Sequence, residues 1–161
     1  MRGNTVAGMV AGLISGVVFG VMMQLMRAPA PDGPGMPMMA MVAQVVGSGS
    51  VVVGWIYHLF NSAAIGGVFG WMLGPRTADR MGLAAGIGAG YGVVWWVLGA
   101  LILMPLALGM PAFAPIRMEP MFPVAMGSLM GHILFGTVLG TSFVWLRGAR
   151  RSSTLGSARP A

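Results

Sequence analysis

The sequence predicts an all-α integral membrane protein whose four transmembrane helices form two parallel two-helix repeats. Three observations carry this. Only 7% of the 161 residues are charged, against 57% hydrophobic. Four uncharged apolar stretches are long enough to cross a bilayer, and the chain matches itself at a shift of 74 residues. Soluble domains carry roughly a quarter charged residues, so too little polar surface exists here to clothe a soluble globule. The 27 glycines point the same way, because glycine is more frequent in membrane helices than in soluble ones.

A span needs about 20 apolar residues to cross about 30 Å of hydrocarbon. Val6 to Met26, Val51 to Leu73, Gly82 to Leu108 and Val124 to Leu146 meet that length, and none contains a charged residue. Lipid offers no partner to backbone N–H and C=O groups, so each stretch must be helical. Ala28-Pro29-Ala30 looks like a small-residue cleavage site. The first apolar stretch is nevertheless longer than a signal core and has a counterpart later in the chain, so it reads as a span. Residues 1–147 then make one transmembrane domain, with repeat one at about 5–78 and repeat two at about 79–147. Residues 148–161 read as a flexible tail rich in Arg and Ser.

Orientation follows from the arginines, which supply all nine cations of a chain with net charge +6. Arg2, Arg76, Arg80, Arg147, Arg150, Arg151 and Arg159 fall on one side, and only Arg27 and Arg117 on the other, beside Asp32 and Glu119. The positive-inside rule puts both termini and the 74–81 loop in the cytoplasm. The longer connections, 27–50 and 109–123, then face outward. The basic charge therefore reads as topology and lipid-headgroup attraction, and nucleic acid is not an expected partner. The bilayer is, together with a second copy of the chain or other subunits of a membrane complex. Cysteine is absent, which removes disulfides, thiolate metal sites and cysteine nucleophiles. The three acids, Asp32, Asp79 and Glu119, all lie in loops. With no paired carboxylates, hydrolytic triad or phosphate loop, the chain is not expected to be an enzyme.

The self-match joins residues of physical consequence. Gly8, Ala11, Gly12 and Gly16 meet Gly82, Ala85, Gly86 and Gly90; Pro31, Gly35, Met36, Pro37 and Ala40 meet Pro105, Gly109, Met110, Pro111 and Ala114. His58, Gly66, Phe69 and Trp71 meet His132, Gly140, Phe143 and Trp145. Each unit holds two spans, so both keep one orientation and are expected to be related by a pseudo-twofold axis along the membrane normal. The glycines of the first and third spans share a helix face and predict close backbone packing. Trp71 and Trp145 read as interfacial anchors. The Gly35-Met36-Pro37 and Gly109-Met110-Pro111 turns predict short interfacial or re-entrant segments in the outer loops. Residues 36–47 suit a short helix lying in the interface.

His58 and His132 are the candidate functional pair, at similar depth near the outer ends of their helices. Ionisable groups inside a bilayer are costly and are functional candidates by default. Ser62, Gly66, Phe69, Gly140 and Phe143 share their face and predict the lining of a common site, and Gln24 and Asn61 complete the polar intramembrane set. Three readings of the pair stand open. The imidazoles pack by hydrogen bonding neighbouring helices, titrate along a polar path, or ligate haem b or copper. Met36, Met38 and Met39 offer the thioethers copper would use, although methionine also fills gaps between helices.

His-Leu-Phe-Asn at 58–61, Gly82-Leu83-Ala84-Ala85-Gly86, Pro105 with Gly109-Met110-Pro111, and Gly131-His132-Ile133-Leu134 before an Arg-bearing end resemble the YagU type of small bacterial inner-membrane proteins. That resemblance implies a multi-spanning fold and an association with acid tolerance, with His58 and His132 as the matched positions. The expected function is proton-linked or small-solute transport or sensing through the histidine pair. A haem- or copper-binding membrane protein and a structural subunit are the alternatives.

Overall fold

The computed structural model of the protein describes residues 2–30, 33–77 and 79–157. Four of its helices are long and apolar enough to cross a membrane, Arg2–Gln24, Val51–Met72, Met81–Ala107 and Glu119–Ala149. The chain is a mostly helical multi-pass membrane protein. In chain order it runs through α1 (Arg2–Gln24), β1 (Arg27–Ala30), β2 (Gly33–Pro37), α2 (Met38–Gln44) and α3 (Val51–Met72). A 3₁₀ turn at Gly74–Thr77 leads to α4 (Met81–Trp95), which continues as a π-helical segment (Trp96–Leu103) and α5 (Met104–Ala107). After α6 (Ala114–Arg117) and a 3₁₀ turn at Glu119–Met121, α7 (Phe122–Ser157) closes the chain. The helix therefore continues through the segment read as a flexible tail as far as Ser157. Asp32, Pro31 and Arg159 lie outside the described residues.

Backbone approach organises the bundle. α1 packs on α3, α4 on α7, and α1 on α7. At the first interface Gly8 and Gly12 lie directly on Gly66, Gly70 and the Ser62 carbonyl. At the second, Gly88 and Gly92 lie on Gly136 and the His132 carbonyl, and Gly140 lies on Ala84. A Cβ at any of these glycines would fall on the facing backbone, so only glycine permits the approach that yields dispersion contact in lipid.

This corrects the sequence expectation for the third span. Gly82, Gly86 and Gly90 are exposed and would meet nothing within 4 Å, and Ala84, Gly88 and Gly92 make the contact instead. The contact partners on α3 and α7 stay in the 74-residue register (Ser62 with Gly136, Gly66 with Gly140), but Gly12 corresponds to Gly88, a shift of 76. Two residues turn a helix by roughly 200°, enough to move the matched glycines to the opposite face. The 74-residue match pairs glycine with glycine; in the interface Ala84 stands where the first pair has Gly8, and Gly140 opposite it leaves the room.

The connections at the far end from the termini differ from each other. The first forms an antiparallel β1–β2 hairpin with a bulge, pairing Arg27 with Pro37 and Ala28 with Met36. A strand was not expected from a run of Pro, Ala and Gly, which have low strand propensity. Two features hold it: Arg27 Nη2 donates to the Gly35 carbonyl at 2.7 Å, and Gly35, at φ +72°, sits against the Ala28 carbonyl. The matched Gly109 has φ +74°, a conformation L side chains rarely adopt. α2 follows the hairpin as a short helix whose Met38, Met39, Ala40 and Ala43 are buried.

The π-helical segment has an identifiable cause. Pro105 carries no N–H, and its ring disturbs a regular turn against the carbonyl four residues back. That carbonyl, of Leu101, accepts instead from the Phe113 N–H at 2.6 Å, which draws the second connection back over the helix. Trp71 and Trp145 are 54% and 62% exposed, as anchors should be. Arg147 Nη1 reaches Asp79 Oδ1 at 3.4 Å and its guanidinium lies 5.7 Å from the Phe143 ring centroid. Arg117 lies over the Phe113 ring at 5.9 Å, and no ion pair with Glu119 occurs among the described residues.

The register makes a direct prediction. Gly88→Ala puts a methyl on the Gly136 carbonyl and is expected to cost about 1–3 kcal/mol, whereas Gly86→Ala changes stability by less than about 0.5 kcal/mol. Unfolding in mixed micelles measures both, and equal losses would contradict the register.

Candidate functional site

Near the hairpin end the four long helices enclose a cavity of about 580 Å³, within the range of small-molecule sites. α1 contributes Phe19 and Met23, with Met26 just beyond its end; α3 contributes Tyr57, His58, Asn61 and Ser62, and α7 contributes Ser128, His132 and Phe135. Met38, Met41 and Val42 from α2, with its C-cap Val45, Pro115 and Met121, line its hairpin end. Toward the termini Phe69 and Phe143 are fully buried and meet edge to face at 5.7 Å. Phe69 also meets Tyr91 at 5.4 Å, and the Tyr91 hydroxyl donates to the Ile65 carbonyl at 2.8 Å. The walls are apolar except where the two histidines and their neighbours interrupt them.

His58 and His132 therefore share one cavity. They do not touch. Phe19 lies edge-on to both rings, at 5.6 Å from His58 and 4.9 Å from His132. Gly131 makes room for it, since a Cβ there would fall on the Phe19 ring. Each histidine is fixed by one backbone carbonyl. His58 Nε2 donates to the Gly16 carbonyl on α1 at 2.9 Å, and His132 Nδ1 donates to the Ser128 carbonyl one turn earlier at 2.8 Å. A carbonyl only accepts, so the bonded nitrogen carries the hydrogen on each neutral ring. The remaining nitrogens, Nδ1 of His58 and Nε2 of His132, are left as lone-pair acceptors.

The other residues of the expected site divide by role. Ser62 lines the cavity and its Oγ donates to the His58 carbonyl at 2.8 Å. Gly66 and Gly140 belong to the helix interfaces, and Phe69 and Phe143 pack on each other in the core without lining the cavity. Gly35, Met36 and Pro37 sit in β2, and Gly109, Met110 and Pro111 in the turn before α6; neither triplet lines the cavity. Gln24 Oε1 accepts from Trp55 Nε1 at 3.0 Å, tying α1 to α3.

The thioethers do not gather around the imidazoles. Met38 shares the cavity wall with them. Met39 is fully buried against Gly54 and Gly20, and Met36 Sδ receives the Gln44 amide at 3.5 Å. The set His58, His132, Met36, Met38 and Met39 thus does not converge as copper ligands. Each ring spends one nitrogen on a carbonyl and keeps the other, and Phe19 packs against both rings. No cluster of three or more His, Cys, Asp or Glu occurs among the described residues.

Sequence reasoning missed the residues that shape the site. Phe19 and Trp95 are ordinary apolar span residues until the packing is known, and Tyr57 was passed over beside His58. Trp95 lies on the wall contributed by the α4–α5 span, which adds Gly99, Ala100, Leu103 and Met104. No protein-family model, curated protein or solved structure matches this chain.

Phe19 is the wedge on which the wall depends. Phe19→Ala is expected to destabilise the protein by about 3–5 kcal/mol, while truncating Phe60, which is 69% exposed, costs under about 1 kcal/mol. Comparable losses in a detergent unfolding titration would contradict the wedge.

Proposed function

We propose that this is a non-enzymatic membrane protein that binds a small solute in the histidine-lined cavity, as part of transport or sensing. The observation that carries the reading is that His58 and His132, from different helices, both line one cavity of about 580 Å³. Buried polar groups among apolar walls fix the orientation of a ligand whose body the walls receive. The arginine asymmetry supports a bacterial inner-membrane orientation with the termini in the cytoplasm, so that the cavity lies in the outer leaflet. The two glycine-bound helix pairs, α1 with α3 and α4 with α7, support descent from one duplicated unit with a pseudo-twofold axis between them. The resemblance to the YagU type bears on this reading through the same two histidines, and a proton-linked response would use their lone-pair nitrogens.

Protein purified into lipid nanodiscs is expected to hold a solute one-to-one, detected by mass spectrometry of the extracted complex. Ala100→Trp, which fills the cavity wall, should lower that occupancy at least tenfold while circular dichroism stays unchanged. Full occupancy in the filled variant would contradict the cavity as the solute site.

A further inference from the structure

The same cavity carries a statement about the chemistry of its occupant, which rests on the reading just given. Two features bear on it: where the cavity opens, and what its polar atoms lack.

The opening is lateral. α1 and α7 pack together, but α3 and α4 do not; they are tied at one level by Tyr91 and Phe69 on the side toward the termini. Ala64 and Val68 of α3, close to that tie, and Leu103 and Ala107 on the neighbouring span, nearer the hairpin, are all exposed while lining the cavity. These residues lie in the apolar spans, so the gap gives onto hydrocarbon. Side-chain bulk accounts for the difference between the two sides. α7 meets α1 through Gly127, which lies on Met26, and Gly131, which lies on Phe19 and Met22. In the 74-residue register the corresponding residues of α3 are Val53 and Tyr57. Glycine lets one pair close; valine and tyrosine hold the other apart.

At the two rings the unmet polar valence is that of an acceptor. Both imidazoles spend their N–H on carbonyls, and no enclosed side-chain nitrogen or oxygen lacks a partner among the described residues. The second nitrogen of each ring, which has no partner, is therefore open to space and not sealed in protein. A carboxylate or phosphate would bring lone pairs to lone pairs, with no cation on the cavity wall. An alkane would leave both nitrogens unsatisfied. A hydroxyl satisfies them, and the Asn61 amide beside His58 can return a donor to the hydroxyl oxygen.

We infer that the cavity takes a bilayer-dissolved amphiphile with an apolar body and a hydroxyl head, entering between α3 and α4 and donating its hydroxyl hydrogen to His58 or His132. Methionines 23, 26, 38, 41, 104 and 121 on the wall suit such a body, since thioether chains adapt to irregular apolar shapes.

The test is a competition between two probes of equal apolar body, 4-octylphenol and its methyl ether 4-octylanisole, added in equal amounts to wild-type protein in nanodiscs. Native mass spectrometry reads the bound ratio. A net hydrogen bond of about 0.5–1.5 kcal/mol gives the phenol roughly a 2–13-fold excess at one-to-one stoichiometry. His58→Phe with His132→Phe should bind both probes equally, and the single variants should fall between. Equal binding of the two probes by wild-type protein overturns the hydroxyl assignment and leaves the solute site standing. A phenol preference that survives in the double variant overturns the assignment to the histidines. Saturable binding of neither probe overturns this inference. If the Ala100→Trp comparison above also shows no bound solute to displace, the proposed function falls with it. The wild-type competition decides the first point even if a variant fails to fold.

Discussion

Backbone lying on backbone is the constraint from which the rest of this structure follows. Lipid gives two apolar helices no hydrophobic reason to associate, so contact has to come from close packing. Gly8 and Gly12 against Gly66 and Gly70, and Gly88 and Gly92 against Gly136, provide it in two separate pairs. In each pair the closest contacts run backbone to backbone. Where the pairs meet, the contact is made by side chains, and there the two sides diverge. Gly127 and Gly131 admit Met26, Met22 and Phe19 on one side, and nothing comparable closes α3 on α4.

The histidines gain their setting from that divergence. His58 is held across an interface, by a carbonyl of α1, and His132 within its own helix, by the carbonyl of Ser128. Residues matched in sequence thus present opposite ring nitrogens, Nδ1 from one and Nε2 from the other. A symmetric pair would have offered a common point for a metal. The arrangement found puts two acceptor nitrogens on one wall, with Phe19 packed against both rings. Packing and binding are not rival explanations of these residues, because each ring uses one nitrogen for structure and leaves one for a ligand.

Much of the architecture was legible in the sequence, since length and hydropathy fix a span in lipid more tightly than any pattern fixes a helix in water. The four spans, the short helix after Pro37 and the exposed Trp71 and Trp145 all belong to that layer. The face of the third span was not legible. A glycine at every fourth position occurs on two sides of α4, and only the partner selects Gly88 and Gly92 over Gly86 and Gly90. The β1–β2 hairpin was hidden because Arg27 and Gly35 hold it by a side-chain contact and a positive φ rather than by strand propensity. At the site, the intramembrane histidines marked themselves by their cost. Phe19, Tyr57 and Trp95 did not, because an aromatic residue in an apolar span is unremarkable until its neighbours are glycine.

The one-sided junction between the two helix pairs can be measured without any ligand. The chain has no native cysteine, so spin labels can be placed at chosen positions. One labelled pair, Val21→Cys with Met130→Cys, spans the α1–α7 side; its register counterpart, Val97→Cys with Ile56→Cys, spans the α3–α4 side. Pulsed dipolar spectroscopy in nanodiscs should give a clearly shorter distance for the first pair than for the second. Equal distances would mean a ring closed alike on both sides, with no lateral gap and no cavity for the histidines to line.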